Sequence, residues 1–96
     1  MLERVKKALR ISHDLLNSEI LDTIQAARSD MIRAGVLPAL ANSEASLASR
    51  AVVTFCRSAF CNDPKMAEGY AEAYRLMLDE LRKADPEKIQ EEGADV

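Results

Sequence analysis

The sequence lacks the long apolar runs that membrane spans and secretion signals require. No stretch approaches the roughly 20 consecutive apolar residues that cross a bilayer, and residues 1–9 are charged where a signal peptide turns apolar. The 96 residues include only 3 Gly, 3 Pro, 2 Tyr and 2 Phe, and no Trp. Apolar and polar residues also show no useful period-2 alternation, which argues against strands. We therefore expect a cytosolic, helical protein that has no membrane partner.

Cysteine and histidine are also scarce, which limits metal binding and catalysis. Cys56 and Cys61 lie five residues apart on one predicted helix, so they point about 140° apart and are expected to be reduced packing residues. His13 beside Asp14 is either an acid/base pair or an exposed residue before a helix. Zinc needs four ligands at chelating spacing, which His13 and the two cysteines do not supply. Because no serine motif, phosphate loop or carboxylate pair is present, we expect no enzyme activity, metal or cofactor.

Charge is unevenly distributed along the chain. The composition, 48% hydrophobic and 30% charged, is typical of a soluble globular helical protein, and the length fits one domain. The net charge of −3 argues against nucleic-acid binding through an overall basic surface. Residues 1–13 contain four bases and one acid, whereas residues 79–96 contain seven acids and three bases. The two ends of the chain therefore have opposite sign.

Apolar side chains recur at helical spacing and predict four helices. They cover residues 2–10, about 18–34, about 43–60 and 64–83, with a connector at 36–41. The predicted capping residues have short polar side chains: Asn17 or Ser18 for the second helix, Asn42 or Ser43 for the third, and Asp63 before Pro64 for the fourth. Gly35 ends the second helix. We predict an all-α fold, a small bundle of about four helices in residues 1–84, with an acidic C-terminal tail at residues 85–96.

The third predicted helix is the most apolar of the four. Its apolar arc spans roughly 200°, wider than a surface helix needs, so this helix is expected to be central and buried. The arc consists of Ala45, Ala48, Ala51, Val52, Val53, Phe55, Cys56, Ala59 and Phe60. The fourth helix has a narrower apolar face made of Met66, Tyr70, Ala73, Tyr74, Met77, Leu78 and Leu81.

Several residues lie outside the predicted core and are candidates for a subunit or partner interface. Leu21 and Ile32 form a second apolar strip on the second helix, separated from the core face by Arg28, and Leu76 lies on the charged side of the fourth helix. Small soluble proteins keep apolar patches small unless something covers them, so an interface is one interpretation and scattered surface residues the other. Arg50 and Arg57 share one line on the third helix. They form surface salt bridges, or they face a neighbouring subunit or DNA.

Two other functions are compatible with this pattern. The second and third helices, joined by a turn with glycine, could form a helix-turn-helix DNA-binding regulator, but the helix that would enter the major groove is the most apolar one. A host helical protein-protein interaction module is the other alternative.

Three sequence blocks resemble the head-to-tail connector (adaptor, DNA-packaging) proteins of tailed bacteriophages. The opening LERVKKALRI of residues 2–11 is similar to their L-x-x-V-K-x-x-L-R-I start. EILDTIQAAR at residues 19–28 resembles their D-x-I-x-x-x-I-x-A-A-R helix, and SRAVVTFCRSAF at residues 49–60, followed by NDP, resembles their R-A-V-x-T-Y-C-K-A-x-F-G-N-P-D-D run. Cys61 departs from the usual glycine, and the acidic tail has no counterpart. The resemblance covers about residues 2–82.

The resemblance implies a structural virion protein that assembles in the host cytoplasm and resides in the virion neck. Such connectors form a ring of about twelve copies under the portal protein, extend the DNA channel and offer a platform for the next neck, stopper or tail protein. DNA is expected to pass through without sequence-specific binding. We expect the subunit contacts to use Leu21, Ile32 and Leu76 with the oppositely charged chain ends. The tail, with Pro86, Ile89 and Val96 as contact residues, is expected to order on the portal or a neighbouring subunit.

Overall fold

Five helices build the protein. The structure, a computed structural model, describes residues 1–83, and its helices are α1 (Leu2–Leu9), α2 (Asn17–Arg33), α3 (Pro38–Ala41), α4 (Ser46–Phe60) and α5 (Pro64–Lys83). No strand occurs in this range, so the predicted all-α fold is confirmed. The predicted four helices correspond to α1, α2, α4 and α5. The predicted tail at residues 85–96 lies outside the described residues.

The first two helices end in the same backbone motif. At the end of α2, Gly35 has a φ of 108°, and the Val36 N–H donates to the Met31 carbonyl oxygen at 2.9 Å. At the end of α1, Arg10 takes the left-handed position with a φ of 59°, and the Ile11 N–H donates to the Lys6 carbonyl oxygen at 2.9 Å. These bonds satisfy carbonyl groups that a helix end otherwise leaves unpaired. The predicted stop at Gly35 therefore has a direct structural cause.

The predicted caps of α2 and α4 are wrong. Helix α2 begins at Asn17 with Leu16 in the cap position, and α4 begins at Ser46 with Ala45 there, and neither has a side-chain cap bond. The connector winds into α3, a single turn that starts at a proline and shows no apolar periodicity. Ser43 stabilises this turn instead, because its hydroxyl donates to the Leu40 carbonyl oxygen at 2.8 Å.

The predicted start of the last helix is confirmed. The Asp63 carboxylate oxygen Oδ1 accepts the Lys65 N–H at 2.9 Å and the Met66 N–H at 3.4 Å. Pro64 occupies the first position of α5, where a missing amide hydrogen costs nothing. This cap fixes the short turn from α4 into α5.

Helix α4 is central, as predicted for the third helix, because α1, α2 and α5 all pack against it. Its buried side chains are small: Ala48, Ser49, Ala51, Val52 and Cys56. From α2 they meet Ile20, Ile24, Ala27 and Met31. Fully burying a side chain such as Ile20 contributes about 1.5–3 kcal/mol, so this face is a main source of stability. Ala59, which was predicted in the apolar arc, is exposed.

Helices α4 and α5 pack against each other as an antiparallel hairpin. The Thr54 hydroxyl lies 3.8 Å from the Met77 sulfur, and the Ser58 hydroxyl lies 3.3 Å from the Ala67 carbonyl oxygen. Met66, near the start of α5, is 53% exposed, so its prediction as a buried residue is wrong.

Both cysteines are free thiols in different surroundings. Cys56 is fully buried, and burial raises the pKa of its thiol to about 11. Cys61 lies just past the end of α4, half-buried, with its sulfur 3.4 Å from the Asp63 carbonyl oxygen. The predicted packing role therefore describes Cys56 better than Cys61.

Candidate functional site

A groove opens where α1, α4 and α5 meet, and three arginines line it. Arg4 comes from α1, and Arg50 and Arg57 come from α4. The groove has a volume of about 460 Å³, and its apolar wall includes Val53, Tyr70 and Met77. We call this feature the arginine groove.

The three guanidinium groups in this groove are exposed and lack acidic partners within residues 1–83. The ion pairs in that range are Lys6–Asp14, Arg28–Glu44, Arg75–Glu72 and Arg82–Asp79. Arg57 lies over the Tyr70 ring at 5.8 Å from its centroid, a cation–π contact that holds the guanidinium at the groove wall. Surface salt bridges were one interpretation of Arg50 and Arg57, and the described part of the chain offers none. The groove can attract an anionic group, particularly a carboxylate or phosphate.

The predicted interface residues are exposed but do not all share one helix. Leu21 and Ile32 lie on α2 with 47% and 39% of their surface exposed, and Leu76 lies on α5 with 61% exposed. Arg28, between the two α2 residues, is half-buried and pairs with Glu44 at 3.5 Å. It therefore ties α2 to the segment before α4. The interface role of these residues stays a prediction.

Sequence reasoning missed other exposed apolar residues. Leu15 is 86% exposed in the segment between α1 and α2, and Leu37 is 50% exposed just before α3. Neither lies on a long helix, so helical periodicity gave no signal for them. Together with Met66, they show that apolar exposure extends to the helix junctions.

His13 and Asp14 do not form an acid/base pair. The Asp14 carboxylate accepts the Lys6 ammonium at 2.7 Å, and this contact holds the pKa of Asp14 below its ordinary value. The His13 nitrogen Nδ1 accepts the Leu15 N–H at 3.2 Å. Lys6 is only 5% exposed, and its ammonium reaches this carboxylate. His13 and Asp14 therefore stabilise the local structure between α1 and α2.

A second polar contact joins α2 to α5 inside the fold. The Tyr74 hydroxyl donates to an Asp30 carboxylate oxygen at 2.7 Å, and the Tyr74 ring meets the Phe55 ring edge-on at 5.1 Å between centroids. Burial, reinforced by the adjacent carboxylate, raises the pKa of Tyr74. In the sequence, Asp30 stands next to the core residue Met31, but nothing there indicates Tyr74 as its partner.

Neither a metal-binding cluster nor a membrane-spanning helix occurs in residues 1–83. No group of three or more His, Cys, Asp and Glu side chains that could hold a metal ion occurs there. Among the described helices, none is long and apolar enough to cross a membrane. Helix α4, which a helix-turn-helix reader would insert into DNA, is packed against α1, α2 and α5.

These features define a small helical protein of the binding or assembly class, with a cationic groove and exposed apolar side chains. The model of the phage connector protein family matches residues 1–84, and the chain therefore belongs to that family. This confirms the resemblance carried by the three sequence blocks. The family is one of structural proteins, so the chain has a structural connector role in a bacteriophage. Curated proteins and solved structures gave no match.

Proposed function

We propose that the protein is a head-to-tail adaptor that forms a ring beneath the portal in the virion neck. The family match over residues 1–84 carries this proposal. The ring extends the DNA channel and offers a platform for the next neck or tail protein. A head-to-tail contact between identical subunits closes into a ring when the rotation between neighbours allows it.

The surface of the subunit supports an assembled state. Leu21, Ile32 and Leu76 are exposed, and covering them in a contact would remove apolar surface from water. The exposed bases of residues 1–13, which are Arg4, Lys7 and Arg10, and the acids of residues 79–96 supply opposite charges for the same head-to-tail contact.

The particle mass tests this function. We expect the protein mixed with the portal to add a ring visible by electron microscopy, with a mass that is a whole multiple of the 10.6 kDa subunit. A matched variant, Leu21→Ser with Leu76→Ser, should fold and add less protein to the portal. A portal that gains no density from the native protein would refute the adaptor role.

Weak DNA binding is part of the same proposal. A net charge of −3 repels the phosphate backbone, which suits a channel through which DNA must slide. The isolated protein should bind duplex DNA negligibly at physiological salt in a mobility assay. A sub-micromolar complex would contradict this expectation.

The C-terminal segment is the remaining element of the proposal. Its expected contact residues, Pro86, Ile89 and Val96, lie outside the described residues. A chain ending at Ala84 should join the portal less well than the full chain if this segment makes an assembly contact. Normal virion assembly with the shortened chain would remove that role.

A further inference from the structure

The arginine groove is a cationic recess on the described surface. It combines the three exposed guanidinium groups of Arg4, Arg50 and Arg57 with an apolar wall that includes Val53 and Met77. Like charges gathered from two helices repel one another, so an anionic occupant would be stabilised there. The apolar wall favours an occupant that also carries an aliphatic side chain.

We infer that the arginine groove receives the acidic segment of residues 84–96 from a neighbouring copy of this chain. This inference rests on the proposed ring and specifies one of its contacts. The segment contains five acids and one base, the opposite charge to the groove. Ile89 lies between its acids and supplies an aliphatic side chain for the apolar wall. Carboxylate–guanidinium pairs give such a contact orientation as well as attraction.

The direction of α5 favours a neighbouring copy over the same copy. Tyr70 and Met77 line the groove, and the helix then continues to Lys83, about 9 Å beyond Met77 at 1.5 Å per residue. To occupy its own groove the chain would have to reverse direction directly after α5. A subunit placed head-to-tail receives the segment without that reversal.

Exposed Leu76 lies beside this site. It is three residues from Ala73, which lines the groove, and residues three apart are neighbours on a helix surface. The 61% exposure of Leu76 would fall if a neighbour covered the groove. The predicted interface residue and the arginine groove therefore belong to one continuous surface of α5.

Charge reversal in the full chain tests the contact. One variant reverses the groove, Arg50→Glu with Arg57→Glu, and the other reverses the segment, Glu91→Lys with Glu92→Lys. A control, Arg33→Glu with Lys65→Glu, makes the same charge change at exposed bases outside the groove. Circular dichroism checks the fold, and mass photometry with electron microscopy measures ring formation, alone and on the portal, at low and physiological salt.

Each reversed variant should need about tenfold more protein than the native chain to form rings, and the control should not. An equimolar mixture of the two reversed variants should come within about threefold of the native chain, because each groove then meets a segment of opposite charge. Both reversals in one chain should also restore rings, which shows that the groove variant had not lost its fold.

Three results would overturn the inference, each in a distinct way. If both reversed variants form rings as well as the native chain does, the proposed ring stands but this contact is not part of it. Rescue by both reversals in one chain but not by the mixture would place the segment in its own groove. Groove-dependent binding of duplex DNA that ignores the segment reversal would assign the groove to nucleic acid. If the native chain forms no ring, alone or on the portal, at low or physiological salt, the proposed function itself fails.

Discussion

The two sides of the α4–α5 hairpin are built in opposite ways. On one side, which we call the closed side, Tyr74 bonds Asp30 of α2 at 2.7 Å and packs edge-on against Phe55. On the other side, the arginine groove keeps Arg50 and Arg57 exposed and without acidic partners in the described part of the chain. On the closed side the Tyr74 hydroxyl and the Asp30 carboxylate satisfy each other, which stabilises the fold. The groove leaves its charges exposed to solvent.

The largest loss of stability should come from removing the Tyr74 aromatic ring on the closed side. Tyr74→Ala should lower the free energy of unfolding by about 3–4 kcal/mol, because the surrounding core cannot refill the space. Tyr70→Ala, on the groove side, should cost less than half as much, since Tyr70 is only half-buried. Urea unfolding followed by circular dichroism measures both. Equal losses would show that the two sides contribute equally to stability.

Removing only the hydroxyl should have a smaller effect. Tyr74→Phe keeps the ring contact with Phe55 but leaves Asp30 without its donor, and should lower the free energy of unfolding by about 1–2 kcal/mol. The double variant Tyr74→Phe with Asp30→Ala isolates the coupling between the two groups, because alanine has no oxygen that could accept the hydroxyl. A loss for Tyr74→Phe that is the same with and without Asp30→Ala would mean that the hydrogen bond is not its source.

Helix α1 repeats the contrast on a smaller scale, because Lys6 is buried and paired whereas Arg4 is exposed in the groove. The Lys6 ammonium lowers the pKa of Asp14 below its ordinary value of 3.8. This contact therefore stabilises the fold above that pH, and its contribution is lost as the pH falls through the lowered pKa of the folded state. Asp14→Asn should destabilise the protein less than Tyr74→Phe at pH 7. The difference from the native chain should vanish in unfolding experiments at strongly acidic pH; a difference that persists there would exclude the ion pair as its cause.

The smallest effect on stability should come from the groove arginines themselves. Arg50→Gln and Arg57→Gln should each change the free energy of unfolding by no more than about 0.5 kcal/mol, because exposed side chains without ionic partners contribute little. Thermal unfolding of the two variants beside the native chain measures this. A loss as large as that of Tyr74→Phe would show that the arginines are needed for folding, and the contrast between the two sides would disappear.

Sequence periodicity located the long helices because their burial follows a regular helical repeat. Asp63 and Pro64 were assigned correctly since this pair acts locally: the carboxylate caps and the proline fixes the backbone. The assignments to Ser43 and Met66 were wrong because tertiary structure decided them. The Ser43 hydroxyl bonds to α3, and Met66 is exposed near the start of α5.

The candidate site was accessible from the sequence only in part. The seven-residue spacing of Arg50 and Arg57 placed them on one line of a helix. That Arg4 joins them depends on how α1 packs against α4, and residues 46 positions apart in the chain have no shared periodicity. The Tyr74–Asp30 bond, which spans 44 residues, was missed for the same reason.

The two cysteines give the protein a single natural attachment point for a chemical probe. The Cys56 thiol is fully buried with a pKa of about 11, so almost none of it is thiolate at neutral pH and no reagent reaches it. Cys61 is partly exposed at the turn between α4 and α5. A maleimide dye should therefore label Cys61 once per subunit in the folded native sequence. The number of fluorophores in an assembled particle would then count its subunits directly.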